Sequence, residues 1–243
     1  MFVRQAANVL DVLEYFSKRQ RPATMAEISD DLGWPRSSTF NLVSTLAERG
    51  WLYEPRIRAG YYPTPRWLTL ARAVSSAEPL PEAALAMAAD IAARTGETTA
   101  IAALAGISAI FLHVAESRQS VRYSAEIGDR VPIHAGSVGR AILTQYTLNE
   151  REAIYRKITF EKFSDTTPMS VAAIEDELRA AIARGYHQSA SEYIADLAGV
   201  ALPLPIAGRR LSVVVAGPTS RCLERRPETA EIMKQAVARH LIA

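Results

Sequence analysis

The fold of the amino-terminal part is set by the stretch Thr24-Met-Ala-Glu27-Ile-Ser-Asp-Asp-Leu-Gly33-Trp-Pro35-Arg-Ser-Ser-Thr-Phe-Asn-Leu-Val-Ser-Thr-Leu46. Thr24 and Glu27 have the spacing of a capping box, in which each side chain bonds the other residue's free backbone N–H, and they predict a helix over 25–32. Gly33 suits a left-handed helix end, and Pro35 suits the first turn of a second helix that ends before Gly50. Two helices joined so closely make a helix-turn-helix.

The flanking segments extend this motif. Apolar residues recur at helical spacing over 5–18, which predicts a preceding helix. After Gly50, residues 51–53 and 61–62 resemble two short strands around an arginine-containing loop, which is a wing. A helix is expected over 66–74, followed by the linker-like composition of 75–81.

We expect three segments: a winged helix-turn-helix domain over 1–65, a connecting helix and linker over 66–80, and a second domain over 81–243. In the second domain, helices are expected up to Gly96 and over 137–146, 149–157, 170–184 and 227–241. Strands are expected over 98–104, 107–115, 120–126, 186–190, 199–205 and 211–216. Short turns between strands, mixed with helices, predict an α+β fold around one antiparallel sheet.

The composition is that of a folded protein, with 49% hydrophobic and 22% charged residues and a single cysteine, Cys222. One cysteine excludes an internal disulfide, and together with the absence of a signal peptide or a membrane-spanning run it favours a cytoplasmic location. Residues 1–75 carry 10 Lys and Arg against 7 Asp and Glu, a small basic excess that is compatible with DNA as a partner. The sequence predicts no cofactor and no metal site.

The third helix is expected to turn one polar face towards DNA. If Thr39, Val43 and Leu46 pack inward, the opposite stripe offers Asn41 as a bidentate partner for adenine and Phe40 as an apolar surface for a thymine methyl. Arg56 and Arg58 at the wing tip are expected to reach phosphates or a minor groove. The full set of predicted DNA contacts is Thr24, Arg36, Ser37, Ser38, Phe40, Asn41, Ser44, Arg56 and Arg58.

The sequence resembles the isocitrate lyase regulator (IclR) family. The resemblance rests on 35–46 with Gly50-Trp-Leu and Tyr61-Tyr62, and continues through Arg94-Thr-Gly-Glu-Thr98, Leu112-His-Val-Ala-Glu116, Gly128-Asp-Arg-Val-Pro-Ile-His-Ala135, Gly139-Arg-Ala-Ile-Leu143, Arg184-Gly-Tyr186 and Gly217-Pro218. It implies a GAF-like second domain. It also implies a dimer or tetramer that binds double-stranded operator DNA and regulates transcription in response to a small organic acid.

The start of the helix at Ser137 is a candidate effector site. Free backbone N–H groups of Ser137, Val138 and Gly139 would lie at the positive end of a helix dipole and suit a carboxylate. The alternative is that Ser137 caps the helix and the glycines serve packing.

The resemblance adds four positions to this site, and all four depart from the family's polar pattern. Ser189 stands in place of an acidic residue and Gly199 in place of a frequent cysteine, while Val214 and Ala216 occupy polar positions. These losses predict an effector that is bulkier or more apolar than glyoxylate or pyruvate, such as an aromatic acid. Glu192 either supplies the missing carboxylate or is a solvated surface residue, and the second is expected.

Two alternative functions stay open on the sequence. Ala135-Gly-Ser-Val-Gly139 matches a variant of the nucleophile elbow, so Ser137 with Asp196 and His240 is a hydrolase hypothesis, although the repeated βαβ units of such enzymes are missing. A second alternative is a carboxyl-terminal domain that only oligomerises and binds no ligand. Cys222 lies near three arginines, which would lower its pKa and permit a redox role, the weakest of these hypotheses.

Overall fold

The computed structural model describes residues 3–77 and 79–242. Its helices are α1 Arg4–Arg19, α2 Met25–Leu32, α3 Arg36–Glu48, α4 Arg66–Ala77, α5 Glu82–Thr95, α6 Ser137–Leu143, α7 Leu148–Tyr155, α8 Val171–Arg184, α9 Thr219–Cys222 and α10 Arg226–Val237, followed by a π-helical turn, Ala238–Ile242. Its strands are β1 Leu52–Tyr53, β2 Tyr62–Pro63, β3 Thr98–Ala105, β4 Ser108–Ala115, β5 Arg130–Pro132, β6 His187–Ala190, β7 Leu197–Pro203 and β8 Leu211–Pro218. No helix in these residues is both long and apolar enough to cross a membrane.

The chain divides into two compact units, Met1–Pro79 and Leu80–Ala243. In the first unit, the predicted capping box forms: Thr24 accepts a hydrogen bond from the Glu27 N–H, and Glu27 accepts one from the Thr24 N–H. Gly33 ends α2 in the left-handed conformation. The helix-turn-helix therefore arises from the predicted start and stop signals.

The wing is fastened to the helices by backbone bonding. β1 and β2 pair antiparallel, and Ala23 and Tyr61 form an isolated bridge through two hydrogen bonds of 3.0 and 2.7 Å. At Gly60, with φ of +85°, an added Cβ would lie 2.3 Å from the Ala23 carbonyl group. Only glycine allows this close approach.

The second unit is built on one six-stranded antiparallel sheet of order β5-β4-β3-β8-β7-β6. Helices α5 and α10 cover one face, where Met87, Ile91 and Met233 pack with Val213 and Val215. Helix α6 covers part of the other face, where Val138 and Ile142 pack with Val214. Because side chains alternate along a strand, β8 contributes to both layers.

The strand predicted over 120–126 does not form. Two of its carbonyl groups are bound by side chains and not by a neighbouring strand: Thr98 Oγ1 donates to the Tyr123 carbonyl at 2.6 Å, and Arg221 donates to the Val121 carbonyl at 2.8 Å. The edge strand is instead β5, which pairs with β4.

Helix α4 is longer than predicted: it ends at Ala77, so the first residues of the expected linker are helical. Ser76 bonds back to the Ala73 carbonyl at 3.2 Å, so its hydroxyl is accommodated within the helix. The predicted role of 66–80 as a connector between domains stays a prediction.

The glycine at the wing junction gives a testable stability difference. Gly60→Ala is expected to destabilise the first unit by about 3 kcal/mol or more, because a left-handed residue and a backbone clash combine. Gly33→Ala is the control, since Gly33 is also left-handed but an added Cβ there meets nothing within 4 Å; it should lose only ~1–2 kcal/mol. All three tryptophans lie before residue 80, so tryptophan fluorescence during urea unfolding reports on this unit alone. Equal losses would show that the close approach at Gly60 is not what restricts this position.

Candidate functional site

The third helix presents a polar face with one exposed aromatic ring. Thr39, Val43 and Leu46 are buried against the first unit's core, while the opposite face exposes Phe40, whose accessible fraction is 57%. The remaining predicted contacts on α3 are Arg36, Ser37, Ser38 and Asn41, all exposed, and Ser44, which is half-buried. This face combines a guanidinium, a carboxamide, hydroxyls and a ring within three helical turns.

An ionic network joins α1 to α2, the helix that precedes α3. Arg19 pairs with Glu27 and, at 3.0 Å, with Asp31, whose carboxylate also accepts from the Tyr15 hydroxyl. The Thr24 N–H bond and the Arg19 guanidinium lower the pKa of Glu27 to about 2, so the cap stays ionised. The hydroxyl of Thr24 is occupied in this cap, which competes with its predicted role as a phosphate contact.

The wing tip carries the two predicted arginines in an exposed loop. Arg56 and Arg58 are both exposed, and Ile57 between them is 93% exposed. Arg58 adopts a left-handed backbone with φ of 60°, and its N–H donates to Glu54 at 3.1 Å. The loop therefore holds both guanidinium groups away from the unit's core.

A cavity of about 40 Å³ lies between the sheet and α6 in the second unit. It contains six of the seven predicted effector residues, namely Ser137, Val138, Ser189, Gly199, Val214 and Ala216, and its other lining residues are Phe111, Tyr123, Val131, Ala135, Gly136, Glu192, Tyr193, Ile194 and Leu197. This volume is smaller than that of a typical small-molecule site, so a ligand with an aromatic ring requires the lining side chains to move apart. The mostly apolar lining with a few polar groups is nevertheless typical of such sites.

The strand register explains why four distant positions meet in this cavity. Ser189 pairs with Gly199 across β6 and β7, and Gly199 pairs with Ala216 across β7 and β8. Val214 lies two residues before Ala216 and therefore on the same face. Ser189 Oγ donates to Ser137 Oγ at 3.2 Å, and a Cβ at Gly199 would lie 2.9 Å from both oxygens. Gly199 thus leaves room for this hydroxyl pair.

Gly139 has a different position from the other predicted effector residues. It is outside the cavity lining, and a Cβ there would lie 2.3 Å from the Ile133 carbonyl oxygen. There is therefore no room for a side chain at Gly139 where α6 packs on residue 133, and the predicted role of its backbone N–H stays a prediction. The cap position belongs to Gly136, which provides no side-chain bond, so Ser137 is not the cap.

The sequence analysis missed a buried ion pair beside the cavity and misplaced Glu192. Arg140 is 1% exposed and binds the Glu192 carboxylate through both oxygens, at 2.7 and 2.9 Å; Glu192 itself is only 11% exposed. Arg140 also donates to the Gln188 carbonyl at 2.6 Å. Glu192 is therefore not a solvated surface residue. The available signal was Arg140 itself, a charge inside the apolar run of α6, because a buried charge requires a partner.

The histidines and Cys222 show no arrangement for catalysis. Burial and the nearby cations of Arg140 and Arg184 lower the pKa of His187 to about 3, so its ring is neutral. His240 lies 3.5 Å from Asp90, whereas Ser137 bonds Ser189, so the proposed triad is not assembled. Within residues 3–77 and 79–242, no three His, Cys, Asp or Glu side chains are grouped to hold a metal ion.

Comparisons with known proteins agree on one family over nearly the whole chain. Residues 5–56 match the model of the IclR helix-turn-helix domain, and residues 72–241 match that of the bacterial transcriptional regulator IclR C-terminal domain. The chain is 26% identical to the transcriptional regulator BhcR of Paracoccus denitrificans over 92% of this chain and 81% of that protein. It is 24% identical to the transcriptional repressor AllR of Escherichia coli K12 over 88% and 80%.

Solved structures show the same fold. The Thermotoga maritima IclR structure superposes with a TM-score of 0.77 at 18% identity, covering 98% of each chain. An IclR homologue from Microbacterium hydrocarbonoxydans, solved as a complex with 4-hydroxybenzoate, gives a TM-score of 0.74 at 25% identity and covers 96% of each chain.

The surroundings of Cys222 predict an unreactive thiol. Burial and the Glu97 carboxylate raise its pKa to about 12, so the neighbouring arginines do not activate it as the sequence had suggested. A disulfide reagent such as Ellman's reagent is expected to modify the native protein at pH 7.5 at least about tenfold more slowly than the protein in urea, because the thiolate is the reactive form. Modification at the same rate in both states would contradict this assignment.

Proposed function

Because this chain belongs to the IclR family of bacterial transcriptional regulators, we propose that it binds a symmetric operator as a homodimer or tetramer and that a ring-bearing organic acid in the second unit's cavity changes its activity. Family membership makes it a ligand-responsive, DNA-binding regulator and not an enzyme. The exposed face of α3 carries the DNA assignment. Operator DNA as the partner is also the reason to place the protein in the bacterial cytoplasm.

The predicted DNA contacts divide into base readers and phosphate binders. Asn41 offers the carboxamide that pairs in two bonds with adenine, and Phe40 offers a surface for a thymine methyl. Arg56 and Arg58 extend from the wing, and within residues 3–77 and 79–242 neither guanidinium group forms an ion pair with a carboxylate. Such arginines suit phosphates, where release of counterions supplies the binding energy.

Assembly with a second copy is supported by α4. This helix of 12 residues buries none of its side chains, and it exposes Leu70 and Val74, which lie on one face at i and i+4. Its amino-terminal turn is held by Trp67, which packs on Trp51 and donates to the Trp51 carbonyl at 2.9 Å. A short helix with an exposed apolar face is stabilised when that face packs against another surface. In a two-fold dimer, the same face of the second copy provides that surface.

The effector class is inferred from the cavity walls. Phe111, Val131, Tyr193, Leu197 and Val214 make these walls largely apolar. Burying an aromatic ring against such walls contributes on the order of 2–3 kcal/mol, whereas a small keto acid would leave oxygens unpaired at about 1–3 kcal/mol each. The 4-hydroxybenzoate complex of the Microbacterium hydrocarbonoxydans homologue supports the same class.

Variants of α3 and the wing separate base reading from phosphate binding. Asn41→Ala is expected to weaken operator binding by about 1–3 kcal/mol and to relax preference at one base pair in each half-site. Arg56→Ala and Arg58→Ala should instead weaken all sequences alike, each lowering the slope of log K against log salt by about one. Fluorescence anisotropy with operator and scrambled duplexes at several salt concentrations measures both effects. Lys157→Ala, the loss of an exposed charge in the second unit, is the control. Uniform weakening by Asn41→Ala would reassign Asn41 to the backbone.

The exposed face of α4 predicts an assembly defect. Leu70→Glu with Val74→Glu should shift the protein to a smaller species in analytical ultracentrifugation, because like charges would be brought together across a two-fold contact. Operator affinity should fall while single half-site affinity is kept. The same substitutions at exposed Leu148 and Ile182 of the second unit are a matched control for surface charge. An unchanged sedimentation coefficient would remove α4 from the interface.

A further inference from the structure

We propose that Glu192 is the specificity-determining acceptor of the cavity and that it binds the uncharged end of the ring-bearing acid, where the ring carries a hydroxyl or a similar neutral donor directed at this carboxylate. The proposal rests on the proposed function in one respect, that the cavity holds the effector. It adds which group of the effector is recognised and by which residue.

The first observation is that Glu192 is the only charged side chain among the described residues that line the cavity. Among the described residues that line the cavity, the others are apolar, tyrosine, serine or glycine. Burial and the nearby Asp129 raise the pKa of Tyr123 to about 12, so this phenol adds no charge of its own. A ligand polar group therefore meets Glu192 or one of two serine hydroxyls.

The second observation is the state of the Glu192 carboxylate. Arg140 donates one hydrogen bond to each oxygen, at 2.7 Å to Oε2 and 2.9 Å to Oε1. An ionised carboxylate has about four acceptor sites, so each oxygen retains capacity for one more donor. Hydrogen bonds to charged groups are roughly twice as strong as neutral ones, which makes this acceptor the strongest available to a ligand.

The third observation is the charge balance. Arg140 is buried behind Glu192 and cancels its charge, so the pair offers no net attraction to a carboxylate or to an ammonium group. Transfer of an ionic group into low-dielectric surroundings is costly without a partner of opposite charge. A neutral donor gains the hydrogen bond without that desolvation cost. The pair thus favours a phenol or related group at this position.

The segment that carries Glu192 is held in place independently of any ligand. Thr167 Oγ1 donates to the Glu192 carbonyl at 2.6 Å, and Thr166 Oγ1 donates to the Ala190 carbonyl at 2.9 Å. Ser191 has a left-handed backbone with φ of 54°, an arrangement that non-glycine residues keep only where the surroundings enforce it. The acceptor is therefore pre-positioned, which favours discrimination between ligands.

The test compares matched ligands on the full-length protein by calorimetric titration. The probes are benzoate, its three hydroxy isomers and the methyl ether of the tightest isomer. For the wild-type protein, the best hydroxybenzoate is expected to bind about tenfold or more tightly than benzoate, and the methyl ether should lose this gain. Equal binding of benzoate and all hydroxy isomers would overturn the inference about Glu192 while leaving a ring-binding cavity. If none of the probes binds, the proposed aromatic effector class fails as well.

Variants then assign the acceptor. Glu192→Gln should reduce the preference for the hydroxybenzoate over benzoate about tenfold. It should also raise the affinity for benzoate, because Arg140 is left without its counter-charge. A merely structural defect would instead lower the affinity for every ligand. Glu175→Gln is the matched control, since it breaks another partly buried ion pair, with Arg151 at 2.7 Å, among residues that do not line the cavity. It should keep the preference.

A second variant tests the same assignment in case Glu192→Gln does not fold. Arg140→Met with Glu192→Leu removes the pair together, which is often tolerated because no charge is left uncompensated. It should bind benzoate and its hydroxy isomers with similar affinities. If the preference survives in Glu192→Gln or in this double variant and disappears in Ser189→Ala, the serine is the acceptor and the proposal is wrong.

Discussion

The second unit depends on the register of three neighbouring strands. Ser189, Gly199 and Ala216 form one row across β6, β7 and β8, and the alternation of side chains sends this row to the face opposite α5 and α10. A shift of one residue would exchange the two faces and place core valines in the cavity. Since the core fixes the register, the chemistry of the cavity is determined by residues that never contact a ligand.

A buried ion pair completes this arrangement at the cavity's edge. Arg140 lies within a helix that is otherwise apolar, and its charge is tolerated because Glu192 and the Gln188 carbonyl surround it. Such a pair contributes little net stability compared with apolar residues of equal volume, because desolvation of both charges opposes their attraction. Its presence is thus better explained by what it offers to the cavity than by what it adds to folding.

The local signals in the sequence predicted most of the fold, because caps, glycines and periodicity act over a few residues. The capping box at Thr24, the glycine stop at Gly33 and the inward face of α3 are of this kind. The segment 120–126 has the composition of a strand, but side chains from Thr98 and Arg221 bind its carbonyls, and sequence alone does not reveal such distant partners. Glu192 was misplaced for the same reason, since its partner is 52 residues away and is reached only through the register of the sheet.

The bridge between Ala23 and Tyr61 has a consequence for the evolution of operator choice. It ties the wing to the residue just before the α2 cap, so the tip loop starts from a fixed frame even though its own side chains are exposed. The base of the wing is already ordered without DNA. Substitutions at the tip therefore change the DNA contacts without adding an entropic cost of ordering the wing to the free energy of binding. New specificities are thus accessible through the exposed tip, while Gly60 and its neighbours at the bridge remain closed to change.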